Sequence, residues 1–195
     1  MRIGILGGTF NPPHNGHILL IKRIEKKLKL DKVIVIPSNL PPHKDISENY
    51  PTHRMNMTKL AFPDYTVSDI EIKRGGKSYT YETLEQLKSL YPDDELYFIC
   101  GSDMFLTFDE WKCPERIFKI AVVVTSARFY LEYFKLIRKK LFLKKKYGAQ
   151  TRIVYFKPYV ISSTELREMA KNDADIDSHV PQCVSAYIKE NGLYK

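Results

Sequence analysis

Arg2-Ile3-Gly4-Ile5-Leu6-Gly7-Gly8-Thr9-Phe10-Asn11-Pro12-Pro13-His14-Asn15-Gly16-His17 reads as a short buried strand, a glycine turn and the first turn of a helix. The apolar run Arg2 to Leu6 stops at Gly7-Gly8, as a fully buried strand does. Residues 17 to 30 then put Ile18, Ile21, Ile24 and Leu28 on one face, with Lys22, Arg23, Lys26 and Lys27 outside, which is an amphipathic helix. Asn15 stands where it could cap that helix, and His14 and His17, three apart, share a face of its first turn. Two glycines directly after a strand let backbone N–H groups approach a bulky anion, and the helix start adds its partial positive charge. Two imidazoles converging there make a phosphate site.

The same alternation continues outward. Lys32 to Pro37 is a second buried strand, and Thr66 to Ile72 alternates apolar and polar residues as a third. Leu84, Leu87 and Leu90 predict a helix over 80–90, capped by Thr80 or Ser78. Glu95 to Cys100 and Lys119 to Thr125 are apolar runs of strand length, and Arg152 to Phe156 is the last strand. Between them, Tyr130, Phe134, Ile137 and Leu141 predict one buried helical stripe over 129–146. Two helices follow, one after Ser162 and one from Pro181 to the C-cap signal Asn191-Gly192. Strand and helix in this order predict an α/β fold, a Rossmann-like doubly wound parallel sheet flanked by helices, as a single domain over 1–195. No repeat, low-complexity tract or linker interrupts it.

Composition narrows the class. The 195 residues, 44% hydrophobic and 12% aromatic with nine Gly, exclude disorder and collagen-like structure. A net charge of +8 suits anionic partners without choosing among them. Cys100, Cys113 and Cys183 form neither a disulfide framework nor a zinc ligand set. No segment resembles a signal peptide, and no run approaches the ~18 apolar residues of a membrane span. A reduced, cytoplasmic protein is expected. Lys135, Arg138, Lys139, Lys140, Lys144, Lys145 and Lys146 read as the solvated face of their helix. They predict neither a nucleic-acid nor a membrane partner.

The loop after the last strand is Val160-Ile161-Ser162-Ser163-Thr164-Glu165-Leu166-Arg167. Ser162 and Glu165 have capping-box spacing, and Ile161 with Leu166 fits a hydrophobic staple. The helix start and Arg167, one turn on from Ser163, form a second place for phosphates. Neither a GxGxxG fingerprint nor a P-loop is present; Gly75-Gly76 reads as a turn.

These two loops resemble the signatures of the nucleotidyltransferase superfamily, GGTFDPPHxGH and ISSTxxR. Pro37 to Lys44, Ser78-Tyr79-Thr80-Tyr81-Glu82-Thr83-Leu84, Gly101-Ser102-Asp103-Met104, Trp111 and the tail from Val180-Pro181 to Leu193-Tyr194 narrow this. The whole set resembles the bacterial nicotinate-nucleotide adenylyltransferase family. The resemblance implies adenylyl transfer from ATP to nicotinate mononucleotide, giving deamido-NAD and pyrophosphate, with Mg²⁺ carried on the phosphates. It implies that His17 contacts the α-phosphate, with His14 assisting and Gly16 between them. Backbone N–H groups at Gly8, Thr9 and Phe10 would meet transferring or attacking oxygens, and Ser163, Thr164, Arg167 and Lys44 would hold phosphates. Gly101 and Asp103 would contact ribose, and Ile161 and Ser162 would border adenine. Asn11 stands where the family more often has Asp, and borders the mononucleotide without an acid–base role. Thr80 and Tyr81 begin a helix whose N–H groups would receive the nicotinate carboxylate, and Trp111 would stack on its ring. A sibling enzyme for nicotinamide mononucleotide or phosphopantetheine would share the phosphate machinery and differ around Thr80, Tyr81 and Trp111. The family's Arg-Pro-Gly stretch is replaced here by Ser126-Ala127-Arg128, and Lys112 follows Trp111 where an aromatic often sits. A homo-oligomer stays open.

Overall fold

Short aliphatic runs separated by helices build one sheet. The computed structural model describes residues 1–41, 51–127, 129–157 and 159–195. The strands are β1 (Arg2–Gly8), β2 (Lys32–Pro37), β3 (Thr66–Val67), β4 (Glu95–Cys100), β5 (Ala121–Ala127) and β6 (Thr151–Tyr155). Their order is β3-β2-β1-β4-β5-β6, and each neighbouring pair is parallel. This is the doubly wound Rossmann-like order, reversing direction between β1 and β4. The helices are α1 (Asn15–Leu28), α2 (Pro51–Ala61), α3 (Ile70–Arg74), α4 (Thr80–Leu90), α5 (Ser102–Leu106), α6 (Pro114–Ile120), α7 (Tyr130–Tyr147), α8 (Ser163–Lys171) and α9 (Gln182–Glu190).

The period of two along each strand divides the core into two layers. On one face Ile3, Ile5, Ile34, Ile36, Leu96, Phe98 and Val123 pack with Leu84, Leu87, Phe105, Ile117, Leu136 and Leu143. On the other, Leu6, Val33, Val35, Tyr97, Ile99, Val124 and Val154 meet Ile21, Ile24, Met57, Leu166, Val184 and Ile188. Consecutive residues such as Val33 and Ile34 thus serve opposite layers.

Five local expectations are corrected. The third strand is only Thr66–Val67, and Ile70–Arg74 is a helix. Ser68 Oγ accepts the Ile70 N–H, and Asp69 pairs with Lys73 one turn on, so local polar chemistry overrides a weak alternation. Residues Lys119 and Ile120 close α6, and β5 starts at Ala121. The cap of α4 is Tyr79, in extended conformation, while Ser78 Oγ accepts the Asn39 N–H. In α7 the buried residues are Leu136 and Leu143, whereas Tyr130, Phe134 and Leu141 are exposed. Lys139 points inward and pairs with Asp109, so the basic run is not wholly solvated.

Among the described residues no helix is long and apolar enough to cross a membrane.

Candidate active site

The first loop leaves β1 at Gly8 and turns through Phe10, whose φ of +49° lies in the left-handed region. That conformation is costly for a residue with a side chain and persists where its surroundings hold it. The Phe10 ring is buried, edge-on to His17 at 5.1 Å and to Phe62 at 5.8 Å between centroids. It also lies where a Gly8 side chain would go, 2.8 Å from an added Cβ. The Asn11–Pro12 bond is cis.

His14, not Asn15, is the N-cap of α1. Asn15 is the first helical residue; its backbone N–H donates to His179 O and its side chain to Ser178 O. The two imidazoles lie 3.7 Å apart between centroids, tilted by 30°. A side chain at Gly16 would reach within 2.9 Å of the His14 ring, so glycine leaves room for it. The His14 backbone N–H donates to His17 Nδ1 at 3.2 Å. A neutral His17 therefore keeps its proton on Nε2, the nitrogen remote from that bond.

The last loop is fastened onto the first. Ser162 caps α8, its Oγ accepting the Glu165 N–H at 3.1 Å, while Glu165 Oε2 accepts from Ser162 N and Oγ, both at 2.7 Å. These bonds hold the Glu165 carboxyl below its ordinary range. Leu166 is buried and Ile161 packs against the same core layer, consistent with the expected staple. Ser163 Oγ donates to Pro12 O at 2.9 Å, and Arg167 donates to Asn11 O at 2.9 Å and to Thr164 Oγ1 at 3.2 Å. The first-turn N–H groups at Ser163 and Thr164 are not consumed by the helix itself. Thus the α1 and α8 starts, with His14, His17 and Arg167, converge on one spot at the carboxyl edge of β1.

Asn11 is a buried junction. Its Oδ1 accepts from Tyr194 Oη at 2.6 Å while its carbonyl receives Arg167. Gly101 caps α5 and the exposed Asp103 lies in its first turn, at the end of β4 beside β1.

A third helix start is joined to this edge through the loop after β2. Ser38 N donates to Gly8 O at 2.8 Å. Leu40 bridges Lys77, and Ser78 N donates to Leu40 O at 2.8 Å. Thr80 and Tyr81 then open α4. The Tyr81 ring is buried beneath Arg116, and its hydroxyl donates to Glu82; only its backbone is offered to a ligand. Lys112 lies over the Tyr79 ring at 4.3 Å, which brings the Trp111 segment beside α4. The half-buried Trp111 stacks on Phe108 at 4.5 Å and 13°, so Phe108 covers one face of the indole. Lys44 and Arg128 lie outside the described residues. So does His43.

Two site features carry no sequence signal. Arg54, in α2, is fully buried beneath the β1 and β2 loops, where it donates to the backbone carbonyls of Thr9, Ser38 and Asn39. Glu71 is buried close by; burial pushes its carboxyl up, opposed by hydrogen bonds from Thr83 and Ser78 and by the charges of Arg74 and Arg54. Among the described residues, no group of three or more His, Cys, Asp or Glu side chains is placed to hold a metal ion.

Comparison with known proteins bears on this geometry. Residues 5–169 match the cytidylyltransferase-like family. A protein of Clostridium botulinum (strain Alaska E43 / Type E3) named "Probable nicotinate-nucleotide adenylyltransferase" is 38% identical, over 100% of this chain and 98% of that protein. One of the same name from Borrelia garinii subsp. bavariensis is 39% identical, over 100% of this chain and 95% of that protein. The Plasmodium falciparum nicotinic acid mononucleotide adenylyltransferase, solved in complex with NaAD, superposes with a TM-score of 0.76 at 19% identity, over 99% of this chain and 97% of that one. Its likeness is one of fold. With a family model matching residues 5–169 and relatives aligned along its whole length, the chain belongs to the cytidylyltransferase-like family, among the nicotinate-nucleotide adenylyltransferases.

Proposed function

We propose that the chain transfers the adenylyl group of ATP to nicotinate mononucleotide, releasing pyrophosphate and forming deamido-NAD, in the cytoplasm. A phosphate oxygen of the mononucleotide attacks the α-phosphorus in line. The bond from that phosphorus to the bridging oxygen breaks, and pyrophosphate leaves with the electron pair. No side chain becomes covalently bound, so catalysis is positioning and charge neutralisation. The observation that carries this reading is the convergence of the α1 and α8 starts at the β1–β4 switch point, with the α4 start tied to the same edge.

In this reading His17 Nε2–H donates to the α-phosphate as charge builds, and its tautomer is set by the His14 N–H. His14 and the N–H groups of Gly8, Thr9 and Phe10 meet the transferring and attacking oxygens. Ser163, Thr164 and Arg167 take the β- and γ-phosphates, with Lys44 as a further contact. Gly101 and Asp103 hold ribose, and Ile161 and Ser162 border adenine. The α4 N–H groups at Thr80 and Tyr81 receive the nicotinate carboxylate, whose full charge the nicotinamide lacks, and the pyridine stacks on the face of Trp111 opposite Phe108. In this reading Mg²⁺ rides on the ATP phosphates as part of the substrate; among the described residues no cluster of three or more His, Cys, Asp or Glu is placed to hold it.

The test is pyrophosphate release from Mg-ATP with nicotinate mononucleotide, nicotinamide mononucleotide or phosphopantetheine. Release with the nicotinate nucleotide is expected, falling on the order of a hundredfold or more in His17→Ala. Release with phosphopantetheine instead overturns the acceptor assignment, and silence with all three overturns the reaction.

A further inference from the structure

Among the described residues, Arg54 is the one charged side chain in the set of largest fully buried residues, at 0% exposure. Placing a guanidinium there is costly unless its donors are satisfied. Nη1 donates to Thr9 O at 2.9 Å and to Ser38 O at 2.6 Å, and Nη2 donates to Asn39 O at 3.0 Å. The planar fork thus gathers carbonyls from two loops, one after β1 and one after β2, a task for which a single ammonium is poorly shaped.

The Thr9–Phe10 peptide is trans, the only cis bond among the described residues being Asn11–Pro12. In a trans peptide the C=O and N–H point in opposite directions. Drawing Thr9 O inward to a buried guanidinium therefore turns the Phe10 N–H outward, away from the core. The same peptide leads into the left-handed Phe10, a conformation that needs to be held. On the β2 side the opposed groups behave alike. Ser38 O faces Arg54, and the N–H of the same peptide, that of Asn39, donates to Ser78 Oγ at 2.8 Å, next to the α4 start.

We infer that Arg54 is a positioning residue for adenylyl transfer: it fixes the Thr9–Phe10 peptide with its N–H directed at the phosphates and ties that peptide to the loop leading to the acceptor side. The inference rests on the proposed reaction. Arg54 itself touches no substrate.

The experiment compares the full chain with Arg54→Lys and Arg54→Gln, measuring thermal unfolding together with kcat and KM for ATP and nicotinate mononucleotide well below the melting temperature. In folded Arg54→Lys, kcat falls about 10- to 100-fold while KM for ATP changes by less than about threefold, because the misplaced donor acts in the transition state. Arg54→Gln falls at least as far. A lowered melting temperature with an unchanged kcat in the folded variants overturns the inference, since a purely structural residue behaves so. Should neither variant fold, ¹⁵N spectra of the wild-type chain decide. The Phe10 amide is expected to move on adding Mg-ATP with nicotinate mononucleotide, and an unmoved resonance overturns the inference. A wild-type chain active only with phosphopantetheine corrects the acceptor and leaves the Arg54 comparison to be read with that substrate. A wild-type chain silent with every acceptor removes the reaction and this inference with it.

Discussion

Replacing Gly8 by alanine asks whether the first loop is held by packing. Gly8 is not among the residues with positive φ, so the substitution demands room and no unusual backbone. The added Cβ would lie 2.8, 3.0 and 3.1 Å from three atoms of the Phe10 ring, where ordinary contact starts at 3.4 Å. The ring or the strand end must retreat by about 0.6 Å. Phe10 is 1% exposed and abuts Phe62 and His17, so the displacement is passed on. Overpacking of this kind costs about 1–3 kcal/mol. At ~2–4 °C per kcal/mol for a chain of this length, Tm falls by roughly 2–12 °C. Movement of His17 lowers kcat by about tenfold or more. Calorimetry and initial rates of pyrophosphate release read both effects. Gly7→Ala is the internal control, because its Cβ would meet only Phe98, at 3.7 Å, and it melts close to wild type. Gly8→Ala combined with Phe10→Leu recovers part of the lost stability, since the pair is coupled. A Gly8→Ala chain with wild-type Tm and rate refutes the reasoning.

Two further predictions concern caps and charge. Ser162→Ala removes the half of the α8 capping box made by Ser162 Oγ, leaving the backbone N–H bond to Glu165, and costs about 1 kcal/mol, a fall of ~2–4 °C in Tm; Ser162→Asn restores most of it in the same melt, and equal losses in the two variants count against the cap. Asp109→Asn tests the inward-facing Lys139, whose hydrogen bond holds the Asp109 carboxyl below its ordinary value of 3.8. A depressed folded pKa contributes stability that is full above the unfolded value and lost as pH falls through the folded one. Unfolding free energies of wild type and variant from urea titrations therefore differ most near neutral pH, by about 1 kcal/mol or less, and converge as pH falls below the ordinary carboxylate range; a gap that widens on acidification contradicts the pairing.

The elements read from the sequence are those whose chemistry is local. The first strand and the Ser162–Glu165 capping box carry their signals within a few residues, and both stand in the structure, the strand running two residues past the expected Leu6 to include Gly7 and Gly8. Arg54 sits in the polar segment Pro-Thr-His-Arg-Met-Asn-Met, and the carbonyls it gathers from Thr9, Ser38 and Asn39 are backbone groups, which leave no mark on side-chain pattern. The α7 helix misleads for another reason. It has more apolar residues than one face can hold, so the stripe of Tyr130, Phe134 and Leu141 competes with that of Leu136 and Leu143, and only the sheet beneath chooses. Trp111 and Asn11 are expected at the site from the sequence, but the cover supplied by Phe108 and the bond from Tyr194 come from folding.

The fastening of the first loop also sets an order in time. Ser163, Arg167 and Tyr194 reach back to Pro12 and Asn11 across 151, 156 and 183 residues. A ribosome that has just added Tyr155 has delivered all six strands and none of these three anchors. At that stage Leu6 and Val154 still lack the cover later given by Leu166, Val184 and Ile188. The first loop, held early by Arg54 at Thr9 and by Ser38 at Gly8, thus waits for side chains translated near the end to fasten Asn11 and Pro12. The fastening of the first loop is complete only with α8 and the segment after α9, once the sheet has been made.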